Sequence, residues 1–317
     1  MLKYSARRLL EAIPTLLGVF ILSFFLVHAV PGNPAVIMLG THATRHNIAM
    51  VTQEFGLNKP LPVQFLIWLW QLLHGNLGTS FTYNQSVWSL IWQNVPRDLS
   101  IVGIGTLLAS VLSILQGLYQ AKVRGSLPDQ AITWVAYFLY SMPIFWLAVL
   151  LILWFSIDIP IFPPGGIQDP TQTVVTFGTW AAHIALPVIC IALATVAYAG
   201  RFMRASVVDS LVQDYVRTAR AKGTSEFSVL MKHAFRNSLL PQITLLGFSV
   251  PSLFAGALFV EEVFNYPGLG LLFWNAAGSR DYPIILGTTA VIGVLTVAGN
   301  LLADLLYGLA DPRIAYD

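Results

Sequence analysis

The sequence predicts an all-α membrane protein with six transmembrane helices and both termini in the cytoplasm. Three observations carry that prediction. Hydrophobic residues make up 56% of the 317 and charged residues only 10%, whereas soluble domains carry about a quarter charged residues. Six apolar stretches, at about 9–30, 99–121, 131–157, 180–200, 241–260 and 283–303, reach the roughly 20 residues that a helix needs to cross a hydrocarbon core of about 30 Å. The basic residues are divided unevenly between the two sides. Lys3, Arg7, Arg8, Lys122, Arg124, the seven between 201 and 236, and Arg313 make thirteen on the side of the termini, against Arg45, Lys59, Arg97 and Arg280 on the other. That is the asymmetry of the positive-inside rule.

Each segment has its own reading. Lys3, Arg7 and Arg8 before an apolar run resemble a signal peptide, but the run is long and no small-x-small site precedes Pro31, so an uncleaved first span is expected. The segment 31–98 is the longest connection and lies outside. Within it "FLIWLWQLL" (65–73) is too short to span and lies along the interface or packs on the spans. Trp68, Trp70, Trp88 and Trp92 fit an interfacial belt and, taken singly, fit ordinary packing equally well. The loop 122–129 forms a tight hairpin between spans two and three. The stretch 158–170, "DIPIFPPGGIQDP", is too rich in proline and glycine for regular structure. Pro143 and Pro187 each remove a backbone bond mid-span and kink the helix. "GIG" at 103–105 reads as close helix packing, Cys190 as a buried inert thiol, and His183 as a satisfied packing histidine.

Much chemistry is absent. No G-x-x-x-x-G-K-[ST] occurs to cradle a phosphate. No H-E-x-x-H or cysteine pair occurs to hold a metal. No catalytic residue, cofactor site or metal site is therefore expected. Ser249 in "GFSVP" lacks the following glycine of an intramembrane serine protease, which puts a hydrolase far behind. The spans are nearly free of the ionisable groups that ion-coupled carriers need, and no repeat relates the two halves as in inverted-repeat carriers. A self-sufficient secondary carrier or channel stays as the alternative.

The charge that the chain avoids elsewhere gathers at 214–241: Arg217, Arg220, Lys222, Lys232 and Arg236. On helical spacing Val212, Tyr215, Val216 and Ala219 form one face, while Gln213, Arg217 and Arg220 form another. Gly223 stops the first helix. Thr224 or Ser225 caps a second, with Glu226 in its first turn. Phe227, Leu230, Met231 and Ala234 recur at helical spacing down that second piece. A loop that only touches headgroups accounts for the charge but not for this helix–Gly–helix elbow, whose apolar faces want a protein groove.

"YVRTARAKG" (215–223) followed by "HAFRNSLLP" (233–241) resembles the coupling loop of permease subunits of bacterial ATP-binding-cassette importers, in the dipeptide/oligopeptide/nickel branch. Aligned on Gly223, the general Glu-Ala-Ala pattern falls on Arg217, Thr218 and Ala219, so the glutamate is missing. The spacing to Pro241 is also long, and both departures are usual in that branch. The opening "YSARRLLEAIPTLLGVFILSFFLVHAVPGNP", "GLNKPLPVQF" (56–65), "GNLGTSF" (75–81), "VEEVFNYPGLG" (260–270), "RDYP" (280–283) and "NLLADLLYGLADPR" (300–313) are similar to the branch's other blocks, in the right order. Asn33 and Asn76 stand where the branch commonly has aspartate, which puts a charge-dependent role there in doubt.

The resemblance implies a type I importer permease in a bacterial or archaeal cytoplasmic membrane, surrounded by lipid and without a nucleic-acid partner. Residues 1–98 would hold the first span and the outer segment; 99–317 would form the five-helix core, with a coupling loop at about 201–240. Implied partners are a second six-helix permease subunit, two cytoplasmic ATPases that carry the hydrolysis, and an extracytoplasmic solute-binding protein. Arg217, Ala219, Arg220, Lys222, Gly223 and Glu226 would form the ATPase-coupling site. Peptides are the default cargo, although the branch also takes nickel complexes and some oligosaccharides.

Overall fold

A computed structural model describes residues 2–40, 43–54, 56–168, 174, 176–239, 242 and 257–310, and the side chains among them outside 2–9, 54 and 302–310. Among the described residues the elements are helices, with one β-bridge between Thr79 and Ser86. In chain order these are α1 (Leu2–Ala29), α2 (Pro34–Leu39), α3 (Arg45–Glu54), α4 (Leu61–Leu73), α5 (Val87–Lys122), α6 (Leu127–Ser141) and α7 (Ile144–Asp158). There follow α8 (Phe177–Leu211), α9 (Asp214–Ala221), α10 (226–239), α11 (Leu258–Val263), α12 (Leu269–Ser279) and α13 (Tyr282–Ala310).

Among the described residues four helices are long and apolar enough to cross a membrane: Leu10–Ala29 within α1, α5, α8, and Tyr282–Leu301 within α13; the count becomes five if the α6–α7 pair is one span. These fall on the expected spans one, two, four, six and three. The expected fifth span lies mostly outside the described residues, as do Ser249 and Arg313. Two expectations need correction. The second span, expected from Leu99, starts at Val87, and its helix passes through Pro96 and a π-helical turn at Leu99–Gly103. Polar Asn94 and Asp98 interrupt the apolar pattern there, yet both are buried. Of the two kinks expected at prolines, Pro143 breaks its span, with α6 and α7 meeting at 104°. Pro187 lies inside the unbroken α8.

The centre of the molecule is α5 packed along α8. Glycines set the seam, because neighbouring helices come close only where side chains are small. A Cβ on Gly105 would lie 2.9 Å from Ile191 Cγ2, and one on Gly117 would lie 2.5 Å from Met203 Cγ. Cys190 is buried in the same region, against the Ile144 carbonyl. On the far side α1 packs against α13. There α4 lays Phe65 and Trp68 on Phe20 and Phe24, so the short apolar helix packs on the spans. Trp68 is thus a packing residue. Trp88 donates to the Gly75 carbonyl at 2.7 Å and stacks on Trp92. Residues 159–168 form no helix or strand. Gly166 N–H bonds Phe264 O at 2.9 Å and His183 Nδ1 meets Gly165 O at 3.0 Å, which explains the histidine as packing.

Polar joints link distant blocks of sequence. Asp281, fully buried, accepts from Ser80 Oγ at 2.6 Å and from Thr82 N at 2.9 Å. Its neighbour Arg280 donates to the Pro31 carbonyl at 2.6 Å. Glu261, also fully buried, accepts from Ala257 N and Leu271 N, and Asp98 accepts from Leu269 N. Gly268 sits where any Cβ would strike both carboxylates. Asn33 accepts from Ala35 N at the start of α2, and Asn76 accepts from Gly78 N. Both use the carbonyl oxygen, so the turn needs an acceptor there and not a charge.

Candidate functional site

The elbow is present and its bend has a stereochemical cause. Gly223 takes φ +79°, a left-handed conformation that costs other residues. Its N–H bonds Arg220 O at 2.9 Å, and Thr224 N–H bonds Ala219 O at 3.2 Å. These two bonds form a Schellman motif that closes the carbonyl end of α9. Ser225 then precedes α10, whose Val229 N–H bonds Ser225 O at 2.9 Å. A π-helical turn at Val229–Ala234 follows.

The apolar faces do not all point outward. Val216 and Ala219 turn inward and pack on Val229. Leu230, Ala234 and Phe235 pack on Met203 and Val207 of α8. Ser210 and Ser238, both buried, hydrogen-bond at 3.0 Å, and Gln242 donates to Ala199 O at 2.9 Å. The elbow is therefore braced against the last turns of α8. The stripe read from spacing is split: Val212, Tyr215 and Phe227 stay exposed, and Phe227 is 75% accessible.

The charged residues divide likewise. Arg220 binds Glu226 through Nε at 2.8 Å and Nη2 at 3.1 Å, and its Nη1 reaches Leu211 O at 3.5 Å. It spans the bend and ties α9 to the start of α10. Among the described residues Arg217 meets only exposed Asp214, at 3.4 Å, and Lys222 is exposed. The Arg220 guanidinium holds the Glu226 carboxyl below its ordinary 4.5. A depressed folded value means that the pair's contribution is complete above 4.5 and is lost as pH falls through the folded value. Hydrogen-exchange protection of the 216–226 amides, corrected for intrinsic rates, should hold above that pH and drop in acid. Glu226→Gln should lower the plateau and flatten the profile. A wild-type profile that is flat into acid would remove this role from the pair.

Behind the elbow stands a polar joint that sequence reasoning missed. Asp129, 3% exposed at the start of α6, accepts from Arg204 Nε and Nη2, both at 2.7 Å. It also accepts from Gly125 N at 2.9 Å and Gln120 Nε2 at 3.1 Å. One carboxylate thus joins α5, the 123–126 turn, α6 and α8. Its only signal in the sequence is an acid in the first turn of a helix, which usually caps and no more.

Comparison with known proteins agrees with this architecture. Residues 109–316 match the family described as binding-protein-dependent transport system inner membrane component, and residues 1–102 match the N-terminal family of such membrane components. The chain is 40% identical over 317 residues to the oligopeptide transport system permease protein AppB of Bacillus subtilis, covering all of both chains. A putative peptide permease protein of Brucella ovis is 40% identical over 99% of each chain. The dipeptide transport system permease protein DppB of Escherichia coli is 35% identical over all of this chain and 99% of its own. With apolar helices, a braced basic elbow and family matches along almost its whole length, this chain belongs to the binding-protein-dependent transport system inner membrane component family and is a multi-pass permease subunit of an ATP-binding-cassette importer.

Proposed function

We propose that the chain forms half of a peptide translocation path, driven through the elbow by separate ATPase subunits. It has six spans, the fifth over about 241–260, with both termini and the elbow in the cytoplasm. The outer segment is in 1–98 and the core in 99–317. A second six-helix permease subunit completes the path, two ATPases sit below, and a solute-binding protein delivers cargo from outside. The relatives' names, oligopeptide, dipeptide and peptide permeases, support peptides as cargo.

The observation that carries this reading is the elbow's attachment to α8, a 35-residue helix. A rigid body pushing on Val212, Tyr215 and Phe227 moves α8 directly, because Ser210, Ser238 and the Met203–Val207 packing leave no slack between them. Within the coupling site Arg217 and Lys222 face the ATPase's acidic or carbonyl groups, and Gly223 leaves room for close approach. Ala219 and the Arg220–Glu226 pair hold the elbow's shape. Co-expression with candidate ATPases and a second permease, followed by reconstitution, tests the reading. The assembled complex should take up peptide only with ATP, and the chain alone should carry none. Uptake by the chain alone would favour the secondary carrier and overturn the reading.

A further inference from the structure

Arg201 has no role in the joints described above. Its guanidinium lies between two tyrosine rings of α6, 4.7 Å from the centroid of Tyr137 and 4.6 Å from that of Tyr140. Tyr198 stacks on Tyr140 and contacts Phe202. Among the described residues no carboxylate or carbonyl pairs with Arg201, and its buried Nε has no hydrogen-bond partner. Tyr137 and Tyr140 remain more than half exposed, so the cage is open on one side.

Its depth narrows what can fill it. Asp129 pairs with Arg204, which puts those two residues level on antiparallel helices. Arg201 lies three residues above Arg204, about 4.5 Å of helical rise. The tyrosines that grip its guanidinium lie eight and eleven residues above Asp129, roughly 12 and 16 Å. The side chain thus reaches away from the elbow, the direction in which helical side chains tilt toward the N-terminus. A snorkelling arginine would reach the opposite way, to the headgroups. A guanidinium at that level with aromatic faces but no acid beside it is well placed to take an anion.

We propose that Arg201, caged by Tyr137 and Tyr140, is an anion subsite on the translocation path that takes a carboxylate of the peptide cargo. The planar fork left open by the rings matches a carboxylate. The inference rests on the peptide-permease reading and adds a cargo contact within the chain itself.

The test uses the complete importer, with its partner subunits and binding protein, in vesicles. Trialanine and trialanine amide are the probes. Arg201→Gln should lower trialanine uptake about tenfold, the value of one charge-assisted contact, with complex assembly and basal ATP hydrolysis retained. Arg201→Lys should keep most of the uptake, and any uptake of the amide should be little changed by either substitution. Unchanged trialanine uptake in Arg201→Gln, or equal loss for acid and amide, would overturn the subsite alone. So would failure of the variant complex to assemble, which would give the guanidinium to a partner subunit. A loss seen only in vesicles containing phosphatidylglycerol, and absent in phosphatidylcholine, would give it to a lipid headgroup and overturn the subsite as well. A wild-type importer that moves neither peptide overturns both the subsite and the reading beneath it.

Discussion

Gly223→Pro abolishes ATP-driven uptake by the assembled importer, while the chain still inserts into the membrane. Proline fixes φ near −65°, and Gly223 needs +79°. Proline also removes the N–H that closes the end of α9 on Arg220 O. The two losses together cost about 3 kcal/mol or more, and they fall on a turn outside the apolar spans, so insertion is spared. Other substitutions separate backbone strain from bulk. A Cβ at 223 meets nothing within 4 Å, so Gly223→Ala carries only the left-handed penalty of about 1–2 kcal/mol. Gly223→Asn, which tolerates that conformation, should stay near wild type. The expected order of uptake is Gly, Asn, Ala, Pro, measured in vesicles with ATP hydrolysis followed in parallel. Full coupled uptake by the proline variant would remove the elbow from the mechanism.

The second large effect is on stability. Asp129→Ala leaves Arg204 without its acid and the Gly125 N–H without its acceptor, while Gln120 Nε2 keeps only its bonds to the residue 129 carbonyl and Thr133 Oγ1. Breaking a buried pair from one side costs about 3–5 kcal/mol; Arg204 is 30% exposed and can recover some hydration, so about 3 kcal/mol is expected. The detergent-solubilised chain should melt well below wild type. The double variant Asp129→Leu with Arg204→Met should recover much of the loss, since apolar replacement of both partners is often neutral or better. A single variant as stable as wild type would show that the joint contributes little.

Much of the fold was legible because bilayer-length apolar runs need only be counted, and because Gly223 follows a helix-length stretch; the expected cap is weaker, since Ser225 holds the cap position without a side-chain bond. Pairings were harder to read. Asp129 finds Arg204 75 residues away, and Asp281 finds Ser80 201 residues away, distances over which local pattern carries no signal. Arg220 looked available to a partner because Glu226, six residues on, comes within reach only after the left-handed turn folds the chain back. Ala219, expected in the coupling site, has a small side chain that lets α9 sit on Val229, a contact the sequence pattern did not show. Pro143 and Pro187 looked alike on paper. Only the first lies at a helix boundary, where the residue before proline leaves the helical region, with Met142 extended at ψ 129°.

The bond between Ser80 and Asp281 also sets a timetable for synthesis. A ribosome adding about 5–20 residues per second needs roughly 10–40 s to travel the 201 residues between them. During that interval the Ser80 hydroxyl and the Thr82 amide lack their native carboxylate, and the Pro31 carbonyl lacks Arg280. The segment between α1 and α5 therefore cannot complete its native contacts as it emerges. It is completed only by residues made about 200 positions later, so a nascent chain truncated before Arg280 presents an unfinished segment to quality-control proteases.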